Sequence, residues 1–252
     1  MRFKFVTQRA KFIERPNRFL VHATLEGRED PVRIHCPDPG RLRELLRPGV
    51  NIHISAESGT LRSTTHTLRF VEHPECGVLI SLDTRLTNHL FIEGMRSGFF
   101  HQFVGFDRIE TEVSLPDRTG PGIRSRIDFR LTNEAGNACW VEVKSATLVE
   151  EGVAYFPDAV TTRGRRHLQE LQTLVVRGHR AAVVFIVQRP DATALRPQWT
   201  RDPMFSQALL DAMAAGVECY ACTTNLSLAE ASVSRIIPVI PDRFGSPQSA
   251  AL

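Results

Sequence analysis

The feature of this sequence that most limits its fold is a change of pattern near residue 83. Before it, short segments of alternating or β-branched apolar residues follow one another, separated by turn sequences at 37–40 (Pro-Asp-Pro-Gly) and 48–49 (Pro-Gly). The predicted strands cover residues 18–25, 32–36, 50–55, 68–72 and 78–82. Five short strands within about 80 residues predict a small barrel, and the OB fold is the five-stranded barrel that commonly binds nucleic acid.

After residue 83 the apolar spacing alternates between helical and strand periods. Helices are predicted over 84–97, 162–177 and 202–215, and strands over 108–115, 126–131, 140–145, 180–188 and 217–222. This order predicts an α/β domain with a mixed central sheet. We therefore divide the chain into a barrel domain (1–83), an α/β domain (84–240) and a flexible tail (241–252).

Composition says more about where the protein is located than about what it does. The apolar runs are far shorter than the ~20 residues of a membrane-spanning helix, the start of the chain lacks a signal-peptide pattern, and the five cysteines form no disulfide framework. These features predict a cytoplasmic protein with no membrane partner. The net charge of +3 permits nucleic-acid binding without arguing for it. Of 31 basic side chains only three are lysines, and Lys144 is the single one after Lys11.

Two neighbouring predicted strands carry acids in an apolar setting, Asp128 in one and Glu142 in the other. Because alternate residues of a strand share a face, Glu142 and Lys144 point the same way, and a hairpin pairing would set Asp128 beside Glu142. Paired carboxylates are costly unless a cation compensates them, and Mg²⁺ or Mn²⁺ prefers such oxygen ligands. Lys144 would then position a water or stabilise charge on a phosphate. The alternative is an exposed, purely structural Glu142–Lys144 pair, and the residues alone leave both open.

Two helices add further candidates. Glu93 lies near apolar positions of the first helix and could face the strands as a third acid. The second helix opens with Arg163, Arg166 and His167, and a helix N-terminus with arginines attracts phosphate. A basic, solvated first turn is the alternative for the arginines. For His167 both a proton shuttle and a structural histidine stay open.

The motifs together resemble the bacterial sugar fermentation stimulation protein A family over roughly residues 1–240. The matching segments are Arg18-Phe19-Leu20, His35-Cys36-Pro37, Gly40-Arg41, Pro48-Gly49, Asn88-His89-Leu90-Phe91-Ile92-Glu93, Ser125-Arg126-Ile127-Asp128-Phe129, Val141-Glu142-Val143-Lys144-Ser145, Phe156-Pro157-Asp158-Ala159-Val160-Thr161 and Arg163-Gly164. The resemblance implies an N-terminal OB-fold-like β-barrel, a PD-(D/E)xK nuclease-like domain and DNA binding linked to sugar-utilisation genes.

The resemblance also implies roles for individual residues. Glu93, Asp128 and Glu142 would hold Mg²⁺ or Mn²⁺, and with Lys144 they would form the catalytic set. The candidate nucleic-acid contacts are Arg18, Arg41, Arg126, Arg163, Arg166 and His167. The chain departs from the family pattern in having Asp38-Pro39 in place of Asn-Thr, Gly94 in place of Ala and Arg166 in place of Lys.

Two functions follow from these expectations. One is a metal-dependent phosphodiesterase, for which all four acid and base positions are retained. The other is a non-catalytic DNA-binding regulator on an inherited nuclease scaffold. DNA is the favoured partner, while RNA, a small nucleotide and the oligomeric state, a homodimer included, stay open.

Overall fold

The computed structural model describes residues 1–28, 30–57, 63–115 and 125–242. Most of the predicted tail, from residue 243 onward, lies outside the described residues. Within these ranges no helix is both long and apolar enough to span a membrane. The described residues form two sheets of six strands each and one small sheet of three.

The N-terminal sheet is a closed barrel. Its strands are β1 (Gln8–Asn17), β2 (Leu20–Leu25), β3 (Val32–His35), β4 (Asn51–Ala56), β5 (His66–Glu72) and β6 (Leu79–Ser81). The order β3-β2-β1-β4-β5 closes because β3 also pairs in parallel with β5, at Ile34 opposite His66. Apolar side chains such as Val21, Ile52 and Leu68 fill the interior. The barrel predicted from the strand spacing is therefore confirmed.

The strand count behind that prediction was wrong in one respect. The sequence reading missed β1, which lies between β2 and β4, and took β6 as the fifth barrel strand although it only extends the sheet from β5. Charged residues and Pro16 hide the alternation of β1, in which Ala10 and Phe12 face the core.

The C-terminal domain is built on a mixed sheet, also as predicted. Its strands are β7 (Arg108–Ser114), β8 (Arg126–Thr132), β9 (Ala138–Ala146), β12 (Arg180–Val187), β14 (Glu218–Leu226) and β15 (Ala231–Ile237), in the order β15-β14-β12-β9-β8-β7. β9, β12 and β14 run parallel, while the outer neighbours run antiparallel. A small sheet not predicted from the sequence contains β10 (Leu148–Glu150), β11 (Val153–Phe156) and β13 (Ala194–Pro197).

Both faces of the mixed sheet are buried, which explains the continuous apolar sequence of β12. Val183, Phe185 and Val187 contribute to one core cluster, and Ala182, Val184 and Ile186 contribute to the other. The helices α2 (Thr162–Val176) and α3 (Pro203–Ala214) cover the first face, and α1 (Leu86–Arg96) covers the second. This three-layer arrangement fixes the two strands that carry the acids.

Candidate functional site

Asp128 and Glu142 meet across the antiparallel β8–β9 pair. Phe129 lies opposite Val141 in this ladder, so the residues on either side of that pair are neighbours. The backbone N–H of Asp128 approaches Glu142 Oε2 at 3.4 Å, and Asp128 Oδ2 accepts a hydrogen bond from the backbone N–H of Val143 at 2.8 Å. The structure thus brings the two sequence-predicted acids together.

Glu142 is the centre of a buried polar network. Lys144 Nζ donates to Glu142 Oε1 at 2.5 Å, and His167 Nδ1, from the buried face of α2, contacts the same oxygen. On the other side of the ring, Arg163 Nε donates to His167 Nε2 at 3.3 Å. Since Nε2 accepts from Arg163, the proton of a neutral imidazole sits on Nδ1 and points at Glu142. His167 therefore orients the carboxylate, which is a structural role that sequence spacing does not reveal.

The pKa values of the two carboxyl groups are shifted in opposite directions. Burial opposes the charge of Glu142, but the Lys144 ammonium and the His167 hydrogen bond outweigh it and lower the pKa of Glu142 to about 2. Burial and then the negative charge of Glu142 raise the pKa of Asp128 to about 6. Ionising Asp128 in this site is therefore energetically unfavourable, and a cation bound beside it would stabilise the ionised form.

The donor chemistry fits a hard divalent cation. Two carboxylates side by side, one of them with a raised pKa, are the oxygen ligands that Mg²⁺, Mn²⁺ and Ca²⁺ accept. Among the described residues, no three His, Cys, Asp or Glu side chains converge as a metal-ligand group. The described part of the chain would therefore supply Asp128 and Glu142, leaving other ligand positions to water or substrate.

Glu93 does not join this pair. Its carboxylate forms an ion pair with the amino group of Met1 at 2.6 Å and is 44% exposed. The α1 side chain that reaches the acids is Asn88, whose Nδ2 lies 3.4 Å from Asp128 Oδ1. Glu93 is five positions after Asn88, so at ~100° per residue the two side chains point to different sides of the helix. The predicted ligand Glu93 thus does not contact the acids in this structure, whereas Asn88, from the same sequence motif, does.

A cleft of about 1220 Å³ lies between the barrel and the C-terminal domain, and the two acids and Lys144 are in its wall. Of the predicted nucleic-acid contacts, Arg18, Arg41 and Arg163 line this cleft. The other three do not: Arg126 begins β8, Arg166 lies 3.9 Å from Glu170, and His167 is buried behind Glu142. Part of the predicted basic surface is therefore assembled around the acids from both domains.

Comparisons with known proteins identify the family. The family model described as "SfsA N-terminal OB domain" matches residues 13–81, and the one described as "Sugar fermentation stimulation protein RE domain" matches residues 85–230. This chain belongs to the SfsA family. The sugar fermentation stimulation protein homologue of Moorella thermoacetica is 44% identical over 92% of this chain and 95% of that protein. The homologue of Desulforamulus reducens is 40% identical, with 91% of each chain covered.

A solved structure gives the same picture for the fold. Pyrococcus furiosus SfsA, described in complex with Ca²⁺, superposes with a TM-score of 0.81 at 29% identity, covering 95% of this chain and 99% of that one. The resemblance inferred from the motifs is confirmed, and so is the combination of an OB barrel with a mixed-sheet domain.

Proposed function

We propose that this chain is a divalent-metal-dependent phosphodiesterase that acts on nucleic acid, with DNA the favoured substrate. One observation carries the proposal: Asp128, Glu142 and Lys144 meet in the wall of a cleft that also presents arginines from both domains. Acids that hold a metal, a nearby ammonium and phosphate-binding guanidinium groups are the components that phosphodiester hydrolysis requires.

Asp128 and Glu142 would hold the metal. The raised pKa of Asp128 and the complex with Ca²⁺ described for the Pyrococcus furiosus relative both support an oxygen-ligated cation, which we propose is Mg²⁺ or Mn²⁺ in the active protein. When bound, it would supply Lewis-acid polarisation of a phosphate oxygen. His167 keeps Glu142 in one orientation through its Nδ1–H, so the carboxylate does not have to reorganise when the metal binds.

Lys144 would act on the reacting phosphate. Its side chain is 12% exposed and its ammonium donates to Glu142, so it lies at the boundary between the buried network and the cleft. From that position it would orient a water or stabilise negative charge that develops on phosphate oxygens. Arg41 and Arg163, on opposite sides of the cleft, would bind flanking phosphates.

The test is cleavage of labelled DNA and RNA, single- and double-stranded, with Mg²⁺, Mn²⁺ or EDTA. We expect metal-dependent cleavage that falls by roughly 10²–10³ in Lys144→Met and Asp128→Asn. Lys4→Met is the matched control, because Lys4 is exposed and does not line the cleft. Equal cleavage by the wild type and Lys144→Met would mean that the site is assigned wrongly or that the activity is a contaminant.

A second candidate is a cytoplasmic DNA-binding regulator of sugar-utilisation genes that does not cleave. It is supported by the network around Glu142, whose charge is already compensated by Lys144 and His167 without a metal. This candidate predicts salt-sensitive DNA binding that persists in Lys144→Met, with no cleavage under Mg²⁺ or Mn²⁺. The same panel of substrates and metals therefore separates the two candidates.

A further inference from the structure

Three arginines on the barrel side of the cleft have no ion-pair partner among the described residues. Arg18, Arg41 and Arg43 all line the cleft and are exposed. Within the part of the chain that the structure describes, none of the three guanidinium groups forms an ion pair. Arg47, in the same loop, is by contrast paired with Glu75 at 3.0 Å. Free guanidinium groups beside a nuclease-like centre are suited to phosphate oxygens.

Hydrogen bonds from the Arg15 side chain hold in place the backbone segments that carry Arg18 and Arg41. Its guanidinium donates to the carbonyls of Arg18 at 2.7 Å, Asp38 at 2.7 Å, Gly40 at 2.6 Å and Arg41 at 3.0 Å. These bonds tie the turn between β1 and β2 to the loop that follows β3. Because Arg15 directs its donors to backbone oxygens, it fixes the spacing of its neighbours without neutralising their charge.

An exposed aromatic ring follows Arg18 in the chain, although it is not among the residues that line the cleft. Phe19 follows Arg18 in the β1–β2 turn, and its side chain is 52% exposed. Every other Phe, Tyr or Trp side chain in the described part of the chain is buried or partly buried. Its backbone is held, since its N–H donates to Asn17 Oδ1 at 2.9 Å and its carbonyl accepts from the N–H of Cys36 at 2.9 Å. A half-exposed phenyl ring on a turn whose backbone is held on both sides offers a flat apolar surface on which an unpaired base can stack.

We propose that the nucleic acid bound in this cleft is a single strand, whose phosphates lie along Arg18, Arg41 and Arg43 and one of whose bases stacks on Phe19. This inference rests on the proposed function for its placement beside Asp128 and Glu142. Stacking of unpaired bases on aromatic side chains, combined with a basic groove, is how proteins bind single strands without reading sequence. A base inside a duplex is already stacked on both faces and cannot cover Phe19 without being unpaired.

The test measures binding in EDTA, so that cleavage plays no part. Fluorescence anisotropy compares a labelled oligothymidylate, the equivalent RNA and a hairpin duplex of the same length at low salt. We expect tighter binding of the single strands than of the duplex. Phe19→Ala is expected to weaken single-strand binding roughly tenfold and leave duplex binding unchanged, while Phe19→Trp restores it. Val104→Ala, at an exposed apolar residue of the other domain, is the matched control.

A second measurement tests contact between the ring and a base. Oligothymidylates with one abasic position, moved along the strand, should lose affinity for the wild type at one register and lose none for Phe19→Ala at that register. Arg18→Ala and Arg41→Ala are expected to lower affinity and to reduce its salt dependence, while Arg96→Ala, outside the cleft lining, should not.

The outcomes separate this inference from the proposed function. Duplex binding as tight as single-strand binding, or equal effects of Phe19→Ala on both, would overturn the inference even if metal-dependent cleavage is found. Single-strand preference that depends on Phe19, in a protein that cleaves nothing, would uphold the inference and refute the phosphodiesterase. A preference for oligothymidylate over the equivalent RNA, or the reverse, would identify the type of strand.

Discussion

The carboxylate of Asp158 accepts a hydrogen bond at 2.9 Å from the backbone N–H of Arg41, and the two residues belong to different domains. The barrel loop that carries Arg41 is thereby fixed to the segment that leads into α2. Arg201 also holds this segment, because its guanidinium donates a hydrogen bond to the Asp158 carbonyl at 3.2 Å. The distance between the barrel arginines and the acids of the mixed sheet therefore depends on this contact.

Loss of that contact should loosen one loop without unfolding the protein. In Asp158→Ala the Arg41 amide loses its acceptor, and we expect its hydrogen exchange to speed up roughly tenfold, which corresponds to about 1.4 kcal/mol. Asp158→Asn keeps an amide oxygen at the position and serves as the control. An unchanged exchange rate at Arg41 in Asp158→Ala would show that the contact does not hold the loop.

Asp38 should make stability depend on pH. Burial raises the pKa of Asp38 to about 7, and the nearby Asp158 adds to the effect. Between about pH 4 and pH 7 the folded state then binds more protons than the unfolded chain, so the free energy of unfolding falls as pH rises. Asparagine cannot ionise and can still accept the 2.7 Å hydrogen bond from the Gly40 N–H.

We therefore expect Asp38→Asn to be more stable than the wild type at about pH 8, by at most about 4 kcal/mol, with the difference closing near pH 4. Urea unfolding at several pH values measures it. A difference that is constant with pH would contradict the assignment of the raised pKa to Asp38.

His167 should govern how well Glu142 binds a metal. His167→Ala removes the Nδ1–H that orients the carboxylate and leaves a cavity beside it, since the ring is buried. Losing an orienting partner of a metal ligand costs roughly 10–100-fold in metal affinity or activity. Titration with Mn²⁺ measures the loss, and His167→Gln, which retains an N–H donor, should recover part of it. Equal affinity in His167→Ala and the wild type would assign His167 a packing role alone.

The Phe100 ring accounts for the glycine at position 94, where the family resemblance implies alanine. A Cβ at this α1 position would lie 2.4 Å from Phe100 Cε2, and Phe100 is buried against Phe91 and Phe99. Gly94→Ala should therefore destabilise the protein by about 1–3 kcal/mol, although alanine favours a helix by ~1 kcal/mol. Thermal unfolding measures the change, and Gly94→Ala with Phe100→Leu should recover stability. A more stable Gly94→Ala protein would mean that the ring moves aside freely.

The sequence was sufficient to predict the barrel, the mixed sheet and the meeting of Asp128 with Glu142. Each depends on the local spacing of apolar residues. Strand alternation places Glu142 and Lys144 on one face of β9, and the preceding antiparallel strand β8 brings Asp128 beside them. The resemblance then supplied the domain types. Local period does not reveal β1, whose alternation is hidden by charged residues, nor the edge strand β15 and the strands β10, β11 and β13 of the small sheet.

Long-range contacts account for the remaining differences. No spacing rule links Glu142 to His167, which are 25 positions apart and meet because α2 packs on β9 and β12. Glu93 was expected at the acids because it follows apolar residues, but its partner is the amino group of Met1, at the far end of the sequence. Asp158 and Arg41 likewise meet only when the two domains are assembled.

The most direct test of the account is calorimetric titration of the metal-free protein with Mn²⁺, comparing the wild type, Asp128→Asn and Glu93→Gln. We expect Asp128→Asn to abolish the binding heat, because Asp128 and Glu142 are the proposed metal ligands. Glu93→Gln should bind as the wild type does, because Glu93 pairs with Met1. Unchanged Mn²⁺ binding in Asp128→Asn, or its loss in Glu93→Gln, would contradict the proposed metal site.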